Sequence, residues 1–176
     1  MIWYAAYGSN LSSKRFAIYL HGGTPDGSTH HYPGCRDASD PVDVRPFEIA
    51  DLELAFGGMS QTWGGGVAFV RPADGARTKA RLYLVTDEQF ADVVAQENWL
   101  DPGSVGIDGG DYMYGEVPIL GFLEGHEIRT ITQAPDTELR PPSDRYLNHI
   151  AQGLREAHGM PDEAIETYLR NAPGSR

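Results

Sequence analysis

The sequence predicts an α+β fold, and three observations carry that reading. Apolar runs of strand length come first, helices at 12–20 and 86–97 fall among them, and two consecutive helical segments close the chain. No regular βαβ alternation appears, so the expected sheet is antiparallel or mixed. The length of 176 residues suits one domain around one core, and residues 1–176 are read as a single unit.

The elements follow in order. Residues 2–7 are aromatic and apolar and stop at Gly8-Ser9-Asn10, the pattern of a buried strand ending in a tight turn. Residues 12–20 form a short helix, with Asn10 or Ser12 as the candidate cap. Residues 21–46 are a long polar stretch; loops of that length are usually functional or disordered. Residues 47–56 alternate like a half-exposed strand, and residues 63–70 and 80–85 give two more, joined by a polar turn around 73–77. Thr86-Asp87-Glu88-Gln89 has capping-box spacing and starts a helix that runs to about Glu97. A glycine-rich acidic loop, 101–111, precedes two strands at 114–123 and 127–133. Ser143 caps a helix to about His158, closed by Gly159; Pro161 then sits in the first turn of a last helix reaching about Asn171.

Composition excludes several classes of function. Fourteen Lys and Arg against 25 Asp and Glu leave a net charge of −11, which repels phosphate backbones and anionic headgroups. Nucleic acid and membrane are therefore not expected partners. Cys35 is the only cysteine, so neither an intrachain disulfide nor a cysteine-rich metal cluster can form. No apolar run approaches the roughly 18–20 residues that span a bilayer. Met1-Ile2-Trp3-Tyr4 reads as a strand and not a signal peptide, and the expected location is cytoplasmic. Oligomeric state is left open.

One carboxylate stands in an unexpected place. Phe90, Val93, Val94 and Glu97 fall at i, i+3, i+4 and i+7, on one helix face, whereas Glu88 and Asp92 project to the other side. Burial of Glu97 would raise its pKa toward the range of general acid–base work. The competing reading is a helix-end glutamate that reaches solvent or pairs with an arginine. Tyr7-Gly8-Ser9-Asn10 leaves backbone N–H groups at a helix start, able to hold a carboxylate or an oxyanion; a plain strand-to-helix connection needing glycine is the alternative. His21, His30, His31, Cys35, Asp37 and Asp40 are metal-ligand types in one loop, but their spacing matches no zinc pattern and the expected metal site is none. Gly64-Gly65-Gly66 lacks the lysine and hydroxyl of a phosphate loop and reads as a bulge or close backbone approach. Cys35 has only Arg36 beside it and is a weak nucleophile candidate.

Four islands in order resemble the γ-glutamylcyclotransferase family. They are Ala6-Tyr7-Gly8-Ser9-Asn10-Leu11; Ser60-Gln61-Thr62-Trp63 with Gly65-Gly66 and Ala68; Gln96-Glu97; and Pro142-Ser143, Tyr146, Ile150, Gly153, Gly159-Met160-Pro161 and Tyr168-Leu169. The resemblance implies a compact mixed β-barrel with flanking helices, and conversion of a γ-glutamyl amide or peptide to 5-oxoproline plus free amine. It implies Glu97 as catalytic acid and base, no metal or organic cofactor, and a small-molecule γ-glutamyl substrate. Tyr7, Gly8, Ser9, Asn10, Leu11 and Tyr146 would bind it, with Tyr112 and Tyr114 competing for one further pocket position. Asn98 replaces the family's usual glycine after the glutamate, and residues 21–46 and 99–111 look inserted, which shifts attention to them as determinants of the leaving amine. A non-catalytic binding protein on the same scaffold and a metal-dependent deacylase using residues 21–40 are the alternatives.

Overall fold

The computed structural model describes residues 1–176. Strand β1 (Ile2–Ala6) is central in a five-stranded mixed sheet of order β2-β3-β1-β5-β4. It is buried along its whole length, which is why it reads as an unbroken apolar run. It pairs antiparallel with β3 (Gly65–Val85) and parallel with β5 (His126–Arg129). Strands β2 (Asp43–Ser60) and β3 form one long antiparallel hairpin, from Asp43 opposite Leu84 to Ser60 opposite Gly65. Strand β4 (Ile119–Leu123) lies antiparallel on β5. One cluster of 37 buried apolar residues forms the core, and no helix is long and apolar enough to cross a membrane.

Several sequence expectations change. The polar stretch around 73–77 does not reverse the chain: Ala50 faces Arg77 and Leu52 faces Pro72, so residues 73–76 bulge out opposite Asp51 and β3 continues as one strand. Asp51 adopts a left-handed φ of 57° and its carboxylate receives the Gly75 amide at 2.9 Å, which holds the bulge. Strand β2 starts inside the stretch read as loop, and β4 and β5 are shorter than expected, with Glu116 and Thr132 joined only by an isolated bridge. The sheet is not a closed barrel. Register slips between Ile119 and Gly121, and the edges β2 and β4 form no ladder. Side chains span that gap instead: Arg45 on β2 meets Glu124 beyond β4 at 3.0 Å while lying over the Trp3 ring.

The incomplete sheet makes room for a site. Strand β1 ends at Ala6, opposite Arg81, so the first part of β3 is paired with β2 alone. Its free edge is satisfied by hydroxyl groups. Tyr146 accepts the Ala68 amide at 3.1 Å, Tyr114 donates to the Ala68 carbonyl at 2.7 Å, and Thr132 serves both the amide and the carbonyl of Val70 at 2.9 and 3.0 Å. After β1 the chain makes a short 3-10 turn (Ser9–Leu11) and enters helix α1 (Ser13–His21), capped by Ser12 and not by Asn10. Helix α3 (Asp144–His158) crosses that turn so closely that a Cβ on Gly153 would sit 2.3 Å from the Leu11 Cβ. Only glycine fits there. Helix α4 (Asp162–Asn171) begins one residue later than expected, with Pro161 in the cap position.

Helix α2 (Asp87–Glu97) opens with the capping box its spacing predicts. Its apolar stripe, Phe90, Val93 and Val94, enters the core. The opposite stripe is not solvated, contrary to the sequence reading of Asp92: Gln89, Asp92 and Gln96 are all buried because the two long loops lie on them. Gln89 donates to the carbonyls of Asp37 and Ser39, and Gln96 accepts the Gly34 amide. Asp92 binds the Arg36 amide and guanidinium from the first loop and the Gly103 amide, at 2.8 Å, from the second. A single carboxylate thus fastens both loops. Asp92→Asn is expected to lower unfolding free energy by about 1–3 kcal/mol, the range for hydrogen bonds to a charged group. Hydrogen exchange at the Arg36 and Gly103 amides should accelerate with it; unchanged protection there would contradict the clamp.

Candidate active site

A cavity with about 640 Å³ of space free of protein atoms, its mouth included, opens between the end of β1, the free edge of β3 and the end of α2. Tyr7, Gly8, Ser9, Asn10, Glu97, Tyr114 and Tyr146 all line it. Leu11 does not: it is fully buried under α3. Tyr112 does not either. It is exposed and borders a shallower depression at the cavity mouth with Met59, Trp99 and Met113. Asn98 accounts for the choice between the tyrosines. Its side chain accepts the Tyr114 amide at 2.8 Å and donates to the Tyr114 carbonyl at 3.0 Å, which fixes that residue beside the cavity.

Glu97 is the one carboxylate among the residues that line the cavity. The Asn10 amide group donates to its Oε1 at 2.9 Å and to the Tyr4 hydroxyl at 3.3 Å, so the turn after β1 and the end of α2 meet here. The Asn10 carbonyl is in turn held by the Tyr83 hydroxyl at 2.8 Å. Burial raises the Glu97 pKa above the ordinary 4.5; the positive charge of Arg15 and hydrogen bonds from Tyr19 and Asn10 offset only part of it. Burial pushes the hydroxyls of Tyr7, Tyr114 and Tyr146 well up, and Tyr7 and Tyr114 already donate to the carbonyls of Ile131 and Ala68. Tyr146 reaches over the turn: a Cβ on Gly8 would lie 3.1 Å from its hydroxyl. As the first residues of a helical turn, Gly8 and Ser9 carry N–H groups that the turn itself cannot satisfy.

Sequence reasoning missed several lining residues. Arg15, Tyr19, Tyr32, Trp63 and Trp99 all face the cavity. Tyr32 comes from the first long loop and Trp99 from the second, and His30 packs between them, edge-on to Tyr32 and tilted to Trp99, at 4.4 and 4.0 Å between ring centroids. Trp99 holds a left-handed φ of 61°, a conformation uncommon for a bulky residue. Only the fact that both loops are unusually long hinted at such a role. The metal-ligand types of the first loop are scattered: His21 pairs with Asp40 on the surface, and Cys35 is buried against α2 with its thiol pushed up to about 12 by desolvation. No three His, Cys, Asp or Glu side chains are disposed to hold a metal ion.

No protein-family model matches the sequence. A curated relative, histone deacetylase 5 of Arabidopsis thaliana, is 32% identical over 202 aligned positions covering 97% of this chain; the chain spans 30% of that protein's length. Among solved structures, a γ-glutamyl cyclotransferase superposes with a TM-score of 0.63 at 23% identity, covering 98% of this chain and 88% of that one. An uncharacterized human protein gives 0.63 at 24% identity over 97% and 88%. YkqA from Bacillus subtilis gives 0.58 at 17% identity, covering 98% of this chain and 55% of that one. The chain has the γ-glutamyl cyclotransferase fold.

The raised pKa of Glu97 has a signed consequence for stability. The folded chain favours the protonated side chain, so Glu97 contributes stability that is complete below the ordinary glutamate range and is lost as pH rises through its folded-state value. The melting temperature of Glu97→Gln should therefore rise relative to wild type as pH goes from acid to neutral. The opposite trend would mean that the folded state favours the ionised form.

Proposed function

On this fold, we propose that the chain is a cyclotransferase that releases 5-oxoproline from γ-glutamyl amides by intramolecular aminolysis. The observation that carries the reading is Glu97, a half-buried carboxylate that Asn10 holds in the cavity also lined by Gly8 and Ser9. In the reaction the substrate's α-nitrogen attacks its own γ-carbonyl carbon. A new C–N bond closes the five-membered lactam, and the original amide C–N bond breaks. Two protons leave the α-nitrogen over the cycle and two arrive on the departing nitrogen, so the amine leaves as its ammonium ion and Glu97 ends unchanged. One carboxylate can serve both transfers because the two nitrogens meet at the same carbon. The Gly8 and Ser9 amides would stabilise the tetrahedral oxyanion, and the cavity walls would hold the folded conformation that ring closure needs. Neither metal nor organic cofactor takes part. Deacetylation, named for the longer plant relative, is said of that protein; in this chain the geometry favours amide cyclisation.

The mouth sets the expected leaving group. Met59, Trp99, Tyr112 and Met113 are exposed there and surround the depression that continues from Glu97. Apolar walls supplied by loops on a rigid scaffold are a usual source of specificity.

Two experiments test the reading. Mass spectrometry should detect 5-oxoproline released from a panel of γ-glutamyl compounds, and Glu97→Gln should lower kcat about 10²–10⁴-fold, the usual worth of general acid–base catalysis, with little change in KM. Near-wild-type kcat in the folded variant would refute the assignment. Trp99→Ala should change the ranking of kcat/KM among compounds that differ in the amine, with apolar amines losing most. A uniform loss across the panel would remove the mouth from specificity.

A further inference from the structure

Arg15 lines the cavity, and nothing in the protein accounts for two of its donors. Its Nε and NH1 are buried without a hydrogen-bond partner, and only NH2 is engaged, with the Tyr19 hydroxyl at 3.3 Å. The residue is 2% exposed. Tyr19 and Tyr32 lie 4.5 and 4.4 Å from the guanidinium carbon, and Trp63 at 5.9 Å. Aromatic rings hold a guanidinium by its faces and leave its in-plane donors free, and a carboxylate oxygen is a strong acceptor for them. A buried cation with unfilled donors is costly unless a ligand completes it. A second orphan lies nearby: Asn10 Oδ1 is buried with no donor, while its Nδ2 holds Glu97.

Arg15, Asn10 and Glu97 all line one cavity, and the first two carry buried donors and a buried acceptor without partners. We infer that this cavity is shaped for the zwitterionic α-carbon of an amino acid, with Arg15 receiving the α-carboxylate and Asn10 Oδ1 and Glu97 receiving the α-ammonium. The inference rests on the cyclotransferase reading, in which Glu97 must face the α-nitrogen. It adds that Arg15 is the positioning residue that reads the α-carboxylate.

The test compares L-glutamate γ-benzylamide with the same compound carrying an α-carboxamide in place of the carboxylate. The wild-type protein should prefer the carboxylate compound by about 10–100-fold, the equivalent of a charge-assisted hydrogen bond, mainly through KM. In Arg15→Gln the preference should collapse toward unity, and Arg15→Lys, which keeps the charge, should retain part of it. Equal handling of the two compounds by wild type, or a preference that survives in a folded Arg15→Gln protein, overturns the inference. Calorimetric titration of both compounds separates this from failure of the reaction itself. A protein that binds the carboxylate compound preferentially through Arg15 but forms no lactam would sink the cyclisation and uphold the site.

Discussion

The hydrogen bond from Asn10 to Glu97 joins two parts of the chain that are otherwise separate constructions: the turn that ends the central strand and the last residue of α2. Its geometry depends on how firmly each side is held. The turn is locked by the Tyr83 hydroxyl on the Asn10 carbonyl and by α3, which approaches at a glycine. The helix end is locked by Asn98, which clasps the Tyr114 backbone in both directions. A side chain fixed at both anchors loses little entropy when substrate arrives, which is the physical content of preorganisation.

The cavity is a consequence of an unfinished sheet. Where β1 stops, β3 continues, and its exposed ladder groups would be left without partners in the protein interior. Three hydroxyl side chains satisfy them in place of a neighbouring strand. Into the cavity the chain places a cation and a carboxylate that form no hydrogen bond with each other. Such an arrangement lowers stability, and functional sites are where proteins tolerate it.

Much of this was legible in the sequence, and the rest was not for identifiable reasons. Caps are local, so Thr86 with Gln89, Ser143 and Gly159 marked their helices correctly. The helical wheel aligned Glu97 with the apolar stripe, although periodicity says nothing of what a face meets. Asp92 shows the limit: the same wheel placed it outward, and it is buried because loops distant in sequence return to cover it. The bulge at 73–76 was mistaken for a turn because both need the same glycine and aspartate chemistry. Nothing in the helix pattern over 12–20 singled out Arg15. Its burial depends on Tyr32 and Trp63, and no local pattern encodes that.

The stripe formed by Gln89, Asp92 and Gln96 has an implication for redesign. Loops that border a binding mouth are commonly treated as interchangeable cassettes, cut at their ends and replaced. Here neither loop is modular, because each is stitched through its own backbone to side chains of one helix, and both converge on the same aspartate. Exchanging one alone would strand a buried carboxylate with half its partners. The unit to exchange in this scaffold is therefore both loops together with the polar stripe beneath them.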